Sequence, residues 1–163
     1  MKHHTRSIGI ATAFAAAVFV QASPEGTRVP FPEGYRTWFH VKTATIDEGN
    51  PAFAVRGGIH HIYANPLASK GYETGVFSDG SVIAFDELQL KVNDNHTSTE
   101  GPRKRVDVML KDAQRFKDTG GWGYESFMLE SRTGALTTET AKACATCHAN
   151  RKDHDSVFST VRP

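Results

Sequence analysis

Cysteine is nearly absent from this chain: its 163 residues include two, Cys144 and Cys147. That excludes the multi-bridge disulfide scaffold typical of small exported domains. Methionine is as scarce, with only Met109 and Met128 beyond the start. No sign of charge dominates. Lys and Arg number 19 against 18 Asp and Glu, for a formal net charge of +1, which leaves no field to draw nucleic acid or an acidic lipid surface. Repeats and low-complexity tracts are lacking, as is an internal linker. So is any apolar run of the roughly 20 residues a membrane span needs. The longest, "IGIATAFAAAVFV" (8–20), follows Lys2 and Arg6 and ends at Val20-Gln21-Ala22, a small-residue cleavage pattern. Those are the parts of a secretory signal peptide. Residues 1–22 are therefore read as a cleaved leader without a membrane anchor, and 23–163 as one exported, periplasmic domain of ordinary size. The proline-bearing stretch 23–34 is expected to lie over the surface.

What is present concentrates near the end, in "ACATCHANRKDHDSVFS" (143–159). Two thiols three residues apart can form a disulfide, half a zinc site, or an anchor for haem. A Cys-x-x-Cys disulfide closes so small a loop that it stabilises little. It normally serves redox exchange at the helix start of a βαβ unit, for which no room follows Cys147. Zinc wants four ligands, and His154, the nearest addition, leaves the set short. Thr138 is expected to cap a helix over "ETAKACATCHANRK", which no Gly or Pro interrupts. At about 100° per residue, Cys147 and His148 then lie roughly 60° and 40° around the axis from Cys144. All three side chains face one way. Two thiols can add to the two vinyl groups of one haem while the adjacent imidazole reaches the iron. Cys-x-x-Cys-His is the c-type attachment pattern, so one covalent haem c per chain is expected, held by Cys144 and Cys147, with His148 as the iron ligand.

Elsewhere, period-two alternation predicts five strands: "YRTWFHVKTATI" (35–46), "GGIHHIYAN" (57–65), "SVIAFDELQLKV" (81–92), "RVDVMLKD" (105–112) and "WGYESFMLE" (122–130). In the last, Trp122, Tyr124, Ser126 and Met128 share a side. Spaced by turns, these strands form an antiparallel sheet that can keep one face dry. "NPLASKGYETG" (65–75) reads as a helix with Asn65 as N-cap and Pro66 in the first turn. "KDAQRFKD" (111–118) adds a helical turn. The fold class expected is α+β: mainly antiparallel sheet, a few short helices, and a C-terminal haem-attachment helix.

The stretches "YRTW" (35–38), "GIHHIYANPLASKGYETGVFSDGSVIAFD" (58–86), "EGPRKRVDVMLKD" (100–112), "TGGWGYESF" (119–127) and "CATCH" followed by "DSVFS" (155–159) resemble, in order, the cytochrome P460 family, which includes the β-sheet cytochromes c′. The resemblance implies a haem domain, often a homodimer, with His148 as proximal ligand and no strong distal ligand. It implies one of two activities. Members with a lysine bonded to the haem oxidise hydroxylamine and pass electrons to a soluble redox partner. Members without it cap the iron with apolar side chains and bind NO or CO. The position that resembles the linking lysine's holds Tyr72 and Glu73 here, and Lys70 lies slightly earlier. Lys70 is thus the candidate catalytic lysine, against the plainer reading of an exposed residue on an amphipathic helix. A simple electron carrier is the third reading.

For the distal side, Phe53, Phe77 and Phe85 are the apolar candidates, each against ordinary core packing. Asp86 or Glu87 could supply a base, although a solvated strand end is the plainer expectation. His60 and His61 alternate, so one is expected inside as a satisfied core histidine. Met109 and Met128 are expected in the core rather than on iron. His40, His96 and His154 have no motif around them. Arg103–Arg105 is a candidate for pairing with haem propionates or a solvated turn. "TGGWG" lacks the lysine of a phosphate-binding loop and is expected to form a tight turn that lets Trp122 pack.

Overall fold

The computed structural model describes residues 28–162. The leader with its cleavage position, and the first part of the 23–34 stretch, lie outside the described residues. Five strands, β1 (Phe39–Ile46), β2 (Gly58–Ala64), β3 (Val82–Val92), β4 (Ser98–Lys111) and β5 (Trp122–Met128), form one sheet in chain order, with every neighbouring pair antiparallel. Three α-helices, α1 (Phe53–Arg56), α2 (Pro66–Thr74) and α3 (Thr138–His148), complete the α+β architecture. No helix among the described residues is long and apolar enough to cross a membrane.

The helix α2 ends where its sequence says it should, and α3 is shorter than its sequence suggests. Asn65 caps α2 by accepting from the Ala68 N–H at 2.8 Å, and Pro66 needs no N–H in that first turn. Gly75 stops α2 in the left-handed region, φ 78°. Gly71 lets α2 lie on the Phe77 ring, since a Cβ there would come within 2.3 Å of it. The cap of α3 is Thr137 rather than Thr138: its hydroxyl accepts from the Thr140 N–H at 3.2 Å. The α-helix stops at His148, and a kinked 3-10 segment carries the chain through His154.

Several predicted bounds shift for local reasons. Residues 35–37 form a 3-10 turn after Gly34 (φ 68°), so β1 starts at Phe39. β4 reaches back to Ser98, because it pairs with the long β3 around a turn that places His96 at φ 62°. The helical turn expected over 111–118 reduces to a 3-10 segment at Lys117–Thr119. Gly120 and Gly121 make the expected turn with positive φ.

Neither face of the sheet is left to solvent. One face carries Val41, Ile62, Ile83, Trp122 and Tyr124 under α2, α3 and the C-terminal segment. The other carries Ala84, Val106, Val108 and Phe127. There the N-terminal stretch sits in the core and not merely over the surface: Val29 and Tyr35 are 3% and 4% exposed, and Phe31 packs edge-on against Phe127. Alternating apolar residues in "VPFPEGY" (29–35) fill that face. β5 is consequently buried on both sides up to Phe127.

Candidate haem site

The helix-covered face of the sheet encloses a cavity of about 560 Å³, within the roughly 300–1,000 Å³ usual for cofactor sites. Its floor is the inward register of the strands: Ala44 and Ile46, His60 and Ile62, Ile83 and Phe85, Asp107 and Met109, Tyr124 and Ser126. Its wall is α3, which packs on β5 and brings Cys144 and His148 to the opening, and the segment after it, which brings Val157, Phe158 and Ser159.

α3 carries Cys144, Cys147 and His148; the first and last line the cavity and Cys147 does not. Both cysteines are free thiols, Cys144 half-buried and Cys147 exposed. Burial, with help from the Asp107 carboxylate, pushes the Cys144 thiol up. Among the described residues, no group of three or more His, Cys, Asp or Glu is placed to hold a metal ion. His148 Nδ1 lies 2.8 Å from the Ser156 carbonyl. A carbonyl can only accept, so Nδ1 carries the proton and Nε2 is left with its lone pair. Burial holds the His148 pKa below the usual imidazole range, outweighing the opposite pull of that carbonyl, so the ring stays neutral near pH 7. Tyr124 and Phe158 clamp it, each with its ring centroid 5.0 Å away.

That carbonyl is held by a strained turn. Asp155 and Ser156 both have positive φ, 48° and 65°, which only surrounding contacts can maintain. Asp155 supplies them. Its carboxylate takes Lys111 Nζ at 2.7 Å and the Phe77 N–H at 3.3 Å, and its carbonyl takes Trp122 Nε1 at 2.8 Å. The segment then crosses the sheet. The Ser159 and Tyr72 hydroxyls lie 2.6 Å apart, and the Arg162 N–H donates to the Val41 carbonyl on β1 at 3.0 Å. Burial raises the Tyr72 phenol to about 12 despite the Ser159 contact.

The structure sorts the other candidates. Phe85 lines the cavity, stacked on His60 with centroids 4.4 Å apart. Phe77 is core beneath α2, and Phe53 sits on α1 partly exposed. Asp86 and Glu87 are both 1% exposed, so the expected solvated strand end is corrected, yet neither lines the cavity. Asp86 pairs with Arg36 at 2.8 Å. Glu87 is ringed by Lys104, Arg105 and Arg56 at 3.0–3.2 Å. Burial pushes the Glu87 carboxyl up, but these cations outweigh it and hold its pKa below the ordinary value. His60 is not a satisfied core histidine: its buried Nδ1 has no hydrogen-bond partner, and its pKa is lowered by burial first. His61 faces the opposite way, with Nδ1 2.7 Å from the Thr43 hydroxyl. Met109 is on the cavity floor, partly buried against the core, and Met128 is 44% exposed. His40 contacts Arg162, and His154 contacts Asp153. Of Arg103–Arg105, Arg105 alone lines the cavity. Lys70 does not line it. Its side chain is 69% exposed and bonded to Glu73 at 2.7 Å on the outer side of α2.

Sequence reasoning missed four cavity groups: Lys42, Arg56, Asp107 and Tyr124. Asp107 accepts from the Ser126 hydroxyl at 2.6 Å and from Arg56. The buried Tyr124 hydroxyl has no partner. The shared side of Trp122, Tyr124 and Ser126 in β5 points to Tyr124, whereas the apolar alternation of β4 (Val106, Val108, Leu110) leaves Asp107 on its other face. Nothing local marks Lys42.

These residues fit a haem. A half-buried thiol and an exposed thiol share one helix with an imidazole whose free lone pair is fixed by its other nitrogen. Beside them lies an apolar cavity of suitable size, with polar side chains awaiting partners. A family model described as Cytochrome P460 matches residues 32–159. No curated protein matches the chain.

Proposed function

The chain belongs to the cytochrome P460 family, and we propose that it is an exported mono-haem c protein that binds small nitrogen ligands, NO above all, at a five-coordinate iron. Cys144 and Cys147 would hold the group by thioether bonds, and His148 Nε2, whose lone pair is left free, would ligate its iron. A haem held there would supply ligand binding and electron exchange at its iron. The protein supplies the rest. Ser156 fixes the imidazole tautomer, Tyr124 and Phe158 fix its plane, and Phe85 with Ala44, Ile46, Ile62 and Ile83 gives the floor its apolar part. The working form in this reading is a periplasmic homodimer, with a soluble redox partner when electrons must leave.

The observation that carries the gas-binding reading over hydroxylamine oxidation is Lys70, exposed and ion-paired outside the cavity. Hydroxylamine oxidation is the second reading, and Asp107 favours it. This carboxylate lines the cavity and is oriented by Ser126 and Arg56, so it is the group able to take a proton from a bound N–O substrate. The absorption spectrum of the ferrous protein and its Lys70→Ala variant distinguishes the two. The expected result is an ordinary high-spin haem c spectrum, unchanged by the substitution and converted by NO. A strongly red-shifted Soret band that Lys70→Ala abolishes would overturn the gas-binding reading in favour of a lysine-modified ring. A low-spin spectrum indifferent to NO would leave only the electron carrier.

A further inference from the structure

β1 contains an irregularity with a chemical consequence. Its pairing with β2 runs His40 opposite Tyr63 and then Lys42 opposite Ile62, so Val41 is an extra residue in the ladder. A bulge of this kind re-aims the side chains that follow it. Strict alternation from the inward-facing Val41 would send Lys42 outward. The bulge sends Lys42 inward instead, in line with Ala44 and Ile46 on the cavity floor. The bulge is also fastened, because the Val41 carbonyl accepts from the Arg162 N–H at the end of the C-terminal segment.

The ammonium this delivers has nothing to meet. Lys42 is half-buried and makes no ion pair among the described residues. The other charged or titratable groups around it are differently placed. From α1 and β4, Arg56 and Arg105 are committed to Glu87, and Arg56 also to Asp107. From β2, His60 presents a buried Nδ1 with no partner, and it feels the Lys42 charge. A half-buried cation next to an unpartnered ring nitrogen calls for an anionic acceptor.

Haem chemistry says where such an acceptor comes from. The two carbons that become thioethers and the two propionates stand on opposite edges of the porphyrin. In the haem c reading the thioethers would be fixed to α3, which packs on β5, at one edge of the sheet. β1 is the other edge, four strand spacings or roughly 19 Å away. The propionate edge of such a haem would be directed away from α3, toward β1 and β2. We infer that Lys42, turned inward by the bulge at Val41, is the charge partner of a haem propionate, with His60 Nδ1–H as the hydrogen-bond donor beside it. The inference rests on the haem c reading above and assigns the carboxylate-binding end of that site.

The test uses the haem-loaded protein. The variants are Lys42→Gln, Lys42→Arg, and Lys91→Gln as a control that removes the same charge from an exposed position. The readouts are the propionate-linked titration in the pH dependence of the reduction potential and the propionate bending bands in resonance Raman spectra. Loss of a cation in contact makes a carboxylate bind its proton about tenfold more tightly or more. Lys42→Gln is expected to move the titration upward by that factor and to shift the bending bands. Lys42→Arg should restore both, and Lys91→Gln should leave both alone. A titration unchanged in Lys42→Gln, or moved equally by Lys91→Gln, would overturn the assignment while haem-loaded wild type left the parent reading intact. A wild type that carries no haem would remove both.

Discussion

Replacing Glu87 by alanine is expected to cost about 3 kcal/mol of folding stability, the largest loss from any single substitution outside the apolar core. Removing one partner from a buried ionic cluster costs about 3–5 kcal/mol, because the remaining charges keep their desolvation penalty. Here the carboxylate is 1% exposed, and it answers Lys104, Arg105 and Arg56. Those cations reach solvent to different degrees, with Arg56 38% and Lys104 29% exposed. Water recovers part of the loss, which sets the estimate at the lower end. The same cluster pins α1 beside the cavity through Arg56, whose guanidinium also lies over the Phe85 ring. Glu87→Gln keeps the volume and part of the hydrogen bonding and should cost less. The pH dependence supplies a second check. The folded carboxyl has its pKa below the unfolded value of about 4.5, so its contribution is complete above 4.5 and fades as the pH falls through the lowered folded value. Urea unfolding at pH 7 should therefore separate wild type from Glu87→Gln by more than unfolding at pH 3. Equal separations would show that the carboxylate charge is not what matters.

The second large effect is expected at His148. On the proposed haem c reading, substitution by glycine would remove the axial imidazole while leaving Cys144 and Cys147 in place, so the variant should keep a covalent haem and its colour. Its ferrous spectrum and its NO-bound form should both change. Free imidazole should restore them, since the ring it replaces is held mainly by Tyr124, Phe158 and the Ser156 carbonyl, all of which remain. Loss of the haem in the variant would mean that His148 is needed for attachment itself. A wild-type spectrum without added imidazole would mean that another group ligates the iron.

Local pattern carried much of the architecture. Alternation located all five strands, because β-branched and aromatic residues recur at period two in each. Asn65-Pro66 and Gly75 marked both ends of α2. The helix that carries Cys144, Cys147 and His148 was legible, since no Gly or Pro interrupts it. What stayed hidden depends on contacts between distant residues. "VPFPEG" (29–34) reads as part of a surface lead until Val108 and Phe127 are seen to need a cover. Asp86 and Glu87 read as a solvated end because their partners, Arg36, Arg56, Lys104 and Arg105, come from other elements. The inward turn of Lys42 depends on one extra residue in a strand pairing, which no single-strand pattern reveals. The fixed tautomer of His148 likewise depends on a turn eight residues later that Lys111 and Trp122 hold.

All of the chemistry proposed above presupposes that the two thiols of α3 are joined to a porphyrin. Intact-mass spectrometry of the chain exported alongside a working haem-attachment apparatus tests this most directly. The account predicts a red product lacking residues 1–22, heavier by one haem, whose added mass survives denaturation and disappears in Cys144→Ala/Cys147→Ala. A colourless product with the mass of the bare polypeptide would contradict it.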